Sequence, residues 1–165
     1  MPSIYLASPL GFSPEFKGYR ARIKERLIKK GLVVLDPWDN ERSAEFARRL
    51  ASAACLTEPA RRNETCRELA REIGEHNERL IEACDILLAV LDGMEPDSGT
   101  AAELGFASAL GKRCYGLRTD MRTAGDFEGV AINLQLIRFI ERNGGRLLRS
   151  LGELESITLV DQEQH

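Results

Sequence analysis

Six consecutive apolar residues, Ile86-Leu87-Leu88-Ala89-Val90-Leu91, constrain the fold more than any other stretch. They run straight into Asp92-Gly93-Met94-Glu95-Pro96-Asp97, and then into Ser98-Gly99-Thr100-Ala101-Ala102-Glu103-Leu104-Gly105. A short apolar run bounded by turn residues reads as a buried strand. A strand buried on both faces belongs in a parallel sheet covered by helices. In such a sheet, ligands gather at the loop beyond the strand's carboxyl end. Here that loop carries Glu95 and Asp97, and Glu103 follows on the next helix. Thr100-x-x-Glu103 also fits a capping box, in which both side chains satisfy free backbone donors at a helix start. The tetrapeptide alone does not separate capping from chemistry.

The remaining chain supplies the rest of the sheet. Ile4 to Ala7, Leu32 to Leu35, Arg113 to Leu117 and Arg146 to Leu148 are further short apolar runs. Between them lie helical patterns. Ser13-Pro14 opens one, with Phe16, Tyr19, Ile23 and Leu27 at helical spacing and Gly31 ending it. Glu41 to Cys84 reads as two helical pieces broken near Thr57-Glu58-Pro59. Asn77 lies on the otherwise apolar stripe of the second piece (Leu69, Ile73, Leu80, Ile81, Cys84), so it is a structural tie or a site residue. Thr100 to Gly111 and Ile132 to Ile140 are two more helices. Arg118 to Gly129 reads as a mobile loop, Ser150 to Ser156 as a last helical turn, and 161–165 as a polar tail. Alternating strands and helices predict a three-layer α/β/α domain spanning residues 1–165. Its five-stranded parallel sheet should have a flavodoxin-like or Rossmann-like order near 2-1-3-4-5, with right-handed crossovers. That order would gather Tyr5, Phe12, Trp38, Asp39, Asp97 and Glu103 at one edge.

Several functions are disfavoured. The 165 residues carry a net charge of -3 with no basic patch, which argues against nucleic acid. No apolar stretch approaches the roughly 20 residues of a membrane span. The amino terminus lacks a signal-peptide pattern, so a cytoplasmic location with reduced thiols is expected. Cys55, Cys66, Cys84 and Cys114 have no zinc spacing, so no metal site is expected. There is no G-x-G-x-x-G, no phosphate loop and no G-x-S-x-G; the two histidines are His76 and His165. No cofactor is expected. What remains is carboxylates beside aromatics, a set suited to substitution at an anomeric carbon.

Three segments resemble the nucleoside 2-deoxyribosyltransferase family. They are Ile4-Tyr5-Leu6-Ala7-x-Pro9-x-x-Phe12, the D-x-G-T-x-x-E-L-G run from Asp97 to Gly105, and Ile132-Asn133-Leu134. The resemblance covers about the first 140 residues, in the right order. It implies transfer of 2-deoxyribose between nucleobases through a covalent ester. It also implies small-molecule nucleoside and base substrates, and a homo-oligomer whose sites are completed by a neighbour. By the same resemblance Glu103 is the nucleophile, its place near a helix start favouring the ionised carboxylate. Asp97 holds the sugar hydroxyls, Tyr5 hydrogen-bonds the nucleophile, and Phe12 packs on sugar or base. Trp38 and Asp39 lie where the family contacts the base, and Asn133 reaches a neighbouring site. Some members carry an Asp that protonates the leaving base where this chain has Asn77. Asn77 can bond a base edge but cannot serve as that acid, leaving Asp39, water or another carboxyl as the proton source. A hydrolase of deoxynucleosides or deoxynucleotides remains open, with Ser8, Ser13 and Ser98 as phosphate contacts. So does a non-catalytic nucleotide-binding module.

Overall fold

The computed structural model describes residues 1–158; the polar tail expected at 161–165 lies outside them. Five parallel strands form one sheet: β1 (Ser3–Ala7), β2 (Val33–Leu35), β3 (Ile86–Val90), β4 (Arg113–Leu117) and β5 (Leu147–Leu148), in the order β2-β1-β3-β4-β5. This is the 2-1-3-4-5 order expected from the sequence. The order reverses between β1 and β3, which opens a crevice at their carboxyl ends. Tyr5 pairs with Leu35 on one side and Leu87 on the other, so the β1 side chains stand at the centre of the sheet.

The period of two in each strand divides the core. Ile4, Leu6, Ile86, Leu88 and Val90 pack under α1 (Lys17–Lys29) and the 3₁₀ turn Leu151–Ser156. Tyr5, Ala7, Leu87, Ala89 and Leu91 face the opposite layer, α3 (Pro59–Ala83), α4 (Ser98–Ala109) and α5 (Leu134–Glu141). Every residue of β3 is buried, as its unbroken apolar run requires. Truncating Leu87 or Leu88 to Ala would cost about 2–5 kcal/mol through lost transfer energy and the cavity left behind.

The expected break near Thr57-Glu58-Pro59 makes a helical hairpin. α2 (Glu41–Ala54) ends there, and α3 begins with Pro59 in its first turn. Arg49 grips Glu72 with two bonds of 2.6 Å and fastens the two helices. Residues 118–129, expected to be a mobile loop, form no helix or strand; Ala124 and Gly125 donate to the carbonyls of Ala131 and Val130. Arg118, fully buried, donates to the carbonyls of Leu91 (2.6 Å), Gly93 (2.9 Å) and Arg122 (3.0 Å). It thereby pins the base of the loop that leads to Asp97. Gly93 makes that loop's first bend at φ 113°, in a region that favours glycine. No helix among the described residues is long and apolar enough to cross a membrane.

Candidate active site

A cleft of about 460 Å³ opens at the carboxyl ends of β1, β2 and β3. One wall is polar and comes from α4 and the residue before it: Asp97, Ser98, Gly99, Thr100 and Glu103. The other is aromatic and aliphatic: Phe12, Pro37, Trp38, Leu50 and Ile73, with Asn77 beside Glu103.

The helix start differs from the capping-box expectation. Asp97 is the N-cap of α4; its Oδ2 accepts from the Thr100 backbone N–H at 2.8 Å and from the Thr100 hydroxyl at 3.0 Å. Thr100 is therefore the capped residue, and Glu103 does not reach back to a backbone donor. The Oδ1 of Asp97 takes no hydrogen bond from the described residues, which leaves one oxygen free toward the cleft.

Glu103 lies in the second turn of α4, beyond the reach of the terminal dipole. The expectation that a helix start favours its ionised form is corrected accordingly. Burial pushes the Glu103 carboxyl above the usual carboxylate range. The Tyr5 hydrogen bond opposes that shift, the nearby Asp97 charge adds to it, and the Asn77 bond opposes it. The phenol of Tyr5 donates to Oε1 of Glu103 at 2.8 Å, and the Asn77 amide donates to the same oxygen at 3.3 Å. Burial and the adjacent Glu103 carboxylate push the Tyr5 phenol far up, so it stays protonated as a donor. Oε1 thus carries both donors, while Oε2 takes none from the described residues. The arrangement holds a carboxylate by one oxygen and presents the other, as a nucleophile requires.

Trp38 is fixed on three sides. Its backbone N–H donates to Asp36 Oδ1 at 2.9 Å, and its indole N–H donates to the Ser8 carbonyl at 2.8 Å. Its ring lies against Gly11, where an added Cβ would fall 1.9 Å from Cδ2. Phe12 meets the indole edge-on, centroids 4.5 Å apart, and is 76% exposed. It belongs to a 3₁₀ turn, Pro9–Phe12, capped by the buried Ser8, whose Oγ accepts from Leu10 N–H.

Not every candidate from the sequence reaches the cleft. Asp39 turns away: its exposed carboxylate bonds Lys24 at 2.5 Å, beside a separate groove along α1. That hydrogen bond and charge hold Asp39 below the usual carboxylate range. Asn133 caps α5, accepting from Gln135 N–H at 3.0 Å and donating to Asp126 at 3.3 Å, away from the cleft of its own chain. Ser8 and Ser98 line the cleft and Ser13 does not. Leu50 and Ile73 also line the cleft and were missed. Ile73 could have been found, because it stands one helical turn before Asn77 on the same stripe. Leu50 had no such signal, since its position depends on the angle of the α2–α3 hairpin.

A family model described as nucleoside 2-deoxyribosyltransferase matches residues 4–135. An uncharacterized protein of Schizosaccharomyces pombe is 29% identical over 126 residues, which are 74% of this chain and 52% of that protein. The chain thus spans about half the length of that curated relative. Among solved structures, a conserved protein from Enterococcus faecalis V583 superposes with a TM-score of 0.65 at 24% identity, covering 94% of this chain and 96% of that one. A 2-deoxyribosyltransferase from Bacillus psychrosaccharolyticus superposes with a TM-score of 0.59 at 20% identity, covering 94% and 92%. Both have the same fold as this chain.

Proposed function

Because the chain belongs to the nucleoside 2-deoxyribosyltransferase family, we propose that its cleft moves a 2-deoxyribosyl group from one nucleobase to another through an ester on Glu103. The observation that carries this reading is the asymmetric Glu103 carboxylate: Oε1 anchored by Tyr5 and Asn77, Oε2 free beside Asp97.

Oε2 attacks C1′ of the bound nucleoside as the C1′–N bond breaks. The electron pair leaves on the base nitrogen, which takes a proton from solvent. A second base then attacks C1′ through a ring nitrogen and gives its N–H proton to solvent. The C1′–O bond breaks, and Glu103 departs as carboxylate. Two displacements on one carbon retain its configuration. The free Oδ1 of Asp97 is available to a sugar hydroxyl, while Trp38, Phe12, Leu50 and Ile73 offer flat and aliphatic surface to the base.

The hydrolytic variant, with water replacing the second base, uses the same residues. Its nucleotide form would draw on Ser8 and Ser98, which line the cleft, though the Ser8 hydroxyl already accepts from Leu10 N–H. Against it stand two carboxylates, Asp97 and Glu103, with no Lys or Arg among the lining residues, a field that repels a phosphate dianion. A neutral nucleoside is therefore the favoured substrate.

Incubating the protein with deoxyinosine and adenine, and following products by chromatography, tests the reading. Deoxyadenosine is the expected product. Free deoxyribose without a new nucleoside would make the protein a hydrolase; faster loss of deoxyinosine monophosphate than of deoxyinosine would make it a nucleotide enzyme. No turnover across several purine and pyrimidine donors would leave only a binding module. The homo-oligomer is likewise a proposal, with exposed Asn133 donated to a neighbouring cleft. Light scattering reads it, and a strict monomer with full activity would rule it out.

A further inference from the structure

The acid at the end of β2 has no part in the chemistry above, yet it is the most deeply buried carboxylate near the cleft. Asp36 is 3% exposed. A carboxylate in that position costs free energy unless bonded and compensated. Its Oδ2 lies 3.3 Å from Lys24 Nζ and 3.5 Å from Arg20 Nε, within ion-pair range but out of hydrogen-bond alignment. Lys24 spends its short bond on Asp39 instead. Among the described residues, the one well-formed hydrogen bond the Asp36 side chain accepts is from the Trp38 backbone N–H to Oδ1, at 2.9 Å.

The same residue also holds the next segment. Its carbonyl accepts from the Asn40 side-chain amide at 2.9 Å and from the Asp39 N–H at 3.2 Å. Asn40 is the N-cap of α2, its Oδ1 accepting from Ser43 N–H at 2.8 Å. α2 carries Leu50 into the cleft. One buried residue thus sets the indole and the start of the helix that brings the second apolar surface.

We propose that Asp36 is a positioning residue for base recognition, holding Trp38 in stacking register through its Oδ1 while Arg20 and Lys24 compensate its charge. The inference rests on the cleft being a nucleoside site. It requires an acceptor oxygen at this position, not a negative charge. Asparagine keeps that oxygen; alanine removes it and frees the Trp38 N–H.

Trp38 is the single tryptophan, so its emission reports its own surroundings. The test compares wild type, Asp36→Asn and Asp36→Ala in three measurements: emission without ligand, quenching by free adenine, and turnover of deoxyinosine with adenine. Asp36→Ala should shift the emission to the red, weaken adenine binding about tenfold and raise KM about tenfold, the size of one ordinary hydrogen bond. Its kcat should stay within about threefold, because the lost interaction is made equally before and during reaction. Asp36→Asn should restore emission and affinity to within about threefold of wild type. The inference is overturned if Asp36→Ala leaves emission and adenine affinity unchanged. It is also overturned if folded Asp36→Asn binds adenine as poorly as the alanine variant, or if kcat falls while KM holds. Should Asp36→Ala not fold, the asparagine variant alone decides, since weakened binding there is the opposite of what is proposed. If no variant turns over any nucleoside while emission shifts as described, the nucleoside reading falls and the positioning of Trp38 stands.

Discussion

The polar wall of the cleft stands on the centre of the sheet, and the apolar wall stands at its margin. Tyr5 is in β1, fully buried between two neighbours. Glu103 rides on α4, packed directly over the sheet through Leu104 and Ala107. Asp97 is locked to Thr100 at the start of the same helix, at the end of a loop whose base Arg118 clamps. Across the cleft, Trp38 is in a loop and Phe12 ends a 3₁₀ turn, while Leu50 and Ile73 come from a helical hairpin outside the sheet layer. A nucleophile must be held within a fraction of an ångström of its target, so it belongs on rigid elements. A stacking surface tolerates looser support, because aromatic contact is broad and weakly directional. Damage to the first wall should therefore appear in kcat, and damage to the second in KM.

Glu103→Ala breaks the comparison most severely. It should lower kcat by at least about a thousandfold, as loss of a covalent nucleophile does. The effect of the charge on the fold is read with the isosteric Glu103→Gln, which keeps an acceptor for the Tyr5 phenol. Burial raises the folded-state pKa of Glu103, so its protonated form is the one that the folded protein prefers. That stability is fully present below the unfolded pKa and is lost as pH rises through the folded one. At neutral pH the ionised Glu103 is a net cost to the fold, and Glu103→Gln should raise the melting temperature there. Near pH 4 the difference should shrink, because the native side chain is then largely protonated. A Glu103→Gln variant less stable than wild type at pH 7 would contradict this account, and a Glu103→Ala variant that keeps turnover would remove Glu103 from the mechanism.

Tyr5→Phe should produce a smaller loss, about tenfold in kcat, because Asn77 still holds Oε1. Its sharper signature is in pH. The Tyr5 hydrogen bond lowers the pKa of Glu103 against the larger effect of burial. Removing the phenol should move the acid limb of the rate profile, already above the ordinary carboxylate range, to higher pH. An unmoved limb would mean that the ionisation seen in kinetics is not that of Glu103.

The sequence was legible where one element determined the answer. The apolar run of β3 implied a doubly covered parallel strand, and the strand–helix alternation implied the sheet order; the structure has both. Tyr5 and Glu103 could be placed together because adjacent strands and a following helix fix their meeting. The exact cap of α4 was not legible, since Asp97 and Thr100 are both good capping residues and only the backbone decides between them. Asp39 misled for a related reason. Its neighbour Trp38 enters the cleft, but consecutive residues in a turn diverge, and Lys24 from a distant helix supplied a better partner. Asp36 and Leu50 acquire their roles through contacts between segments, which no local pattern encodes.

The smallest effect separates the two aromatics of the apolar wall. Trp38 is fastened by Asp36, Ser8 and Gly11, whereas Phe12 is 76% exposed and meets the indole edge. Phe12→Ala removes little buried surface, so its melting temperature should stay close to wild type, within about 0.5 kcal/mol in stability. A base packed against the surface the two rings share would still lose one of them. KM should rise about threefold to tenfold, in line with an aromatic contact of about 0.5–1.5 kcal/mol, with kcat unchanged. Trp38→Ala should raise KM further and also lower stability, because the Asp36 turn and the Gly11 loop lose what they pack on. Equal effects from both variants would mean that the apolar wall acts as one unit. A fall in kcat for Phe12→Ala would place that ring over the sugar rather than the base.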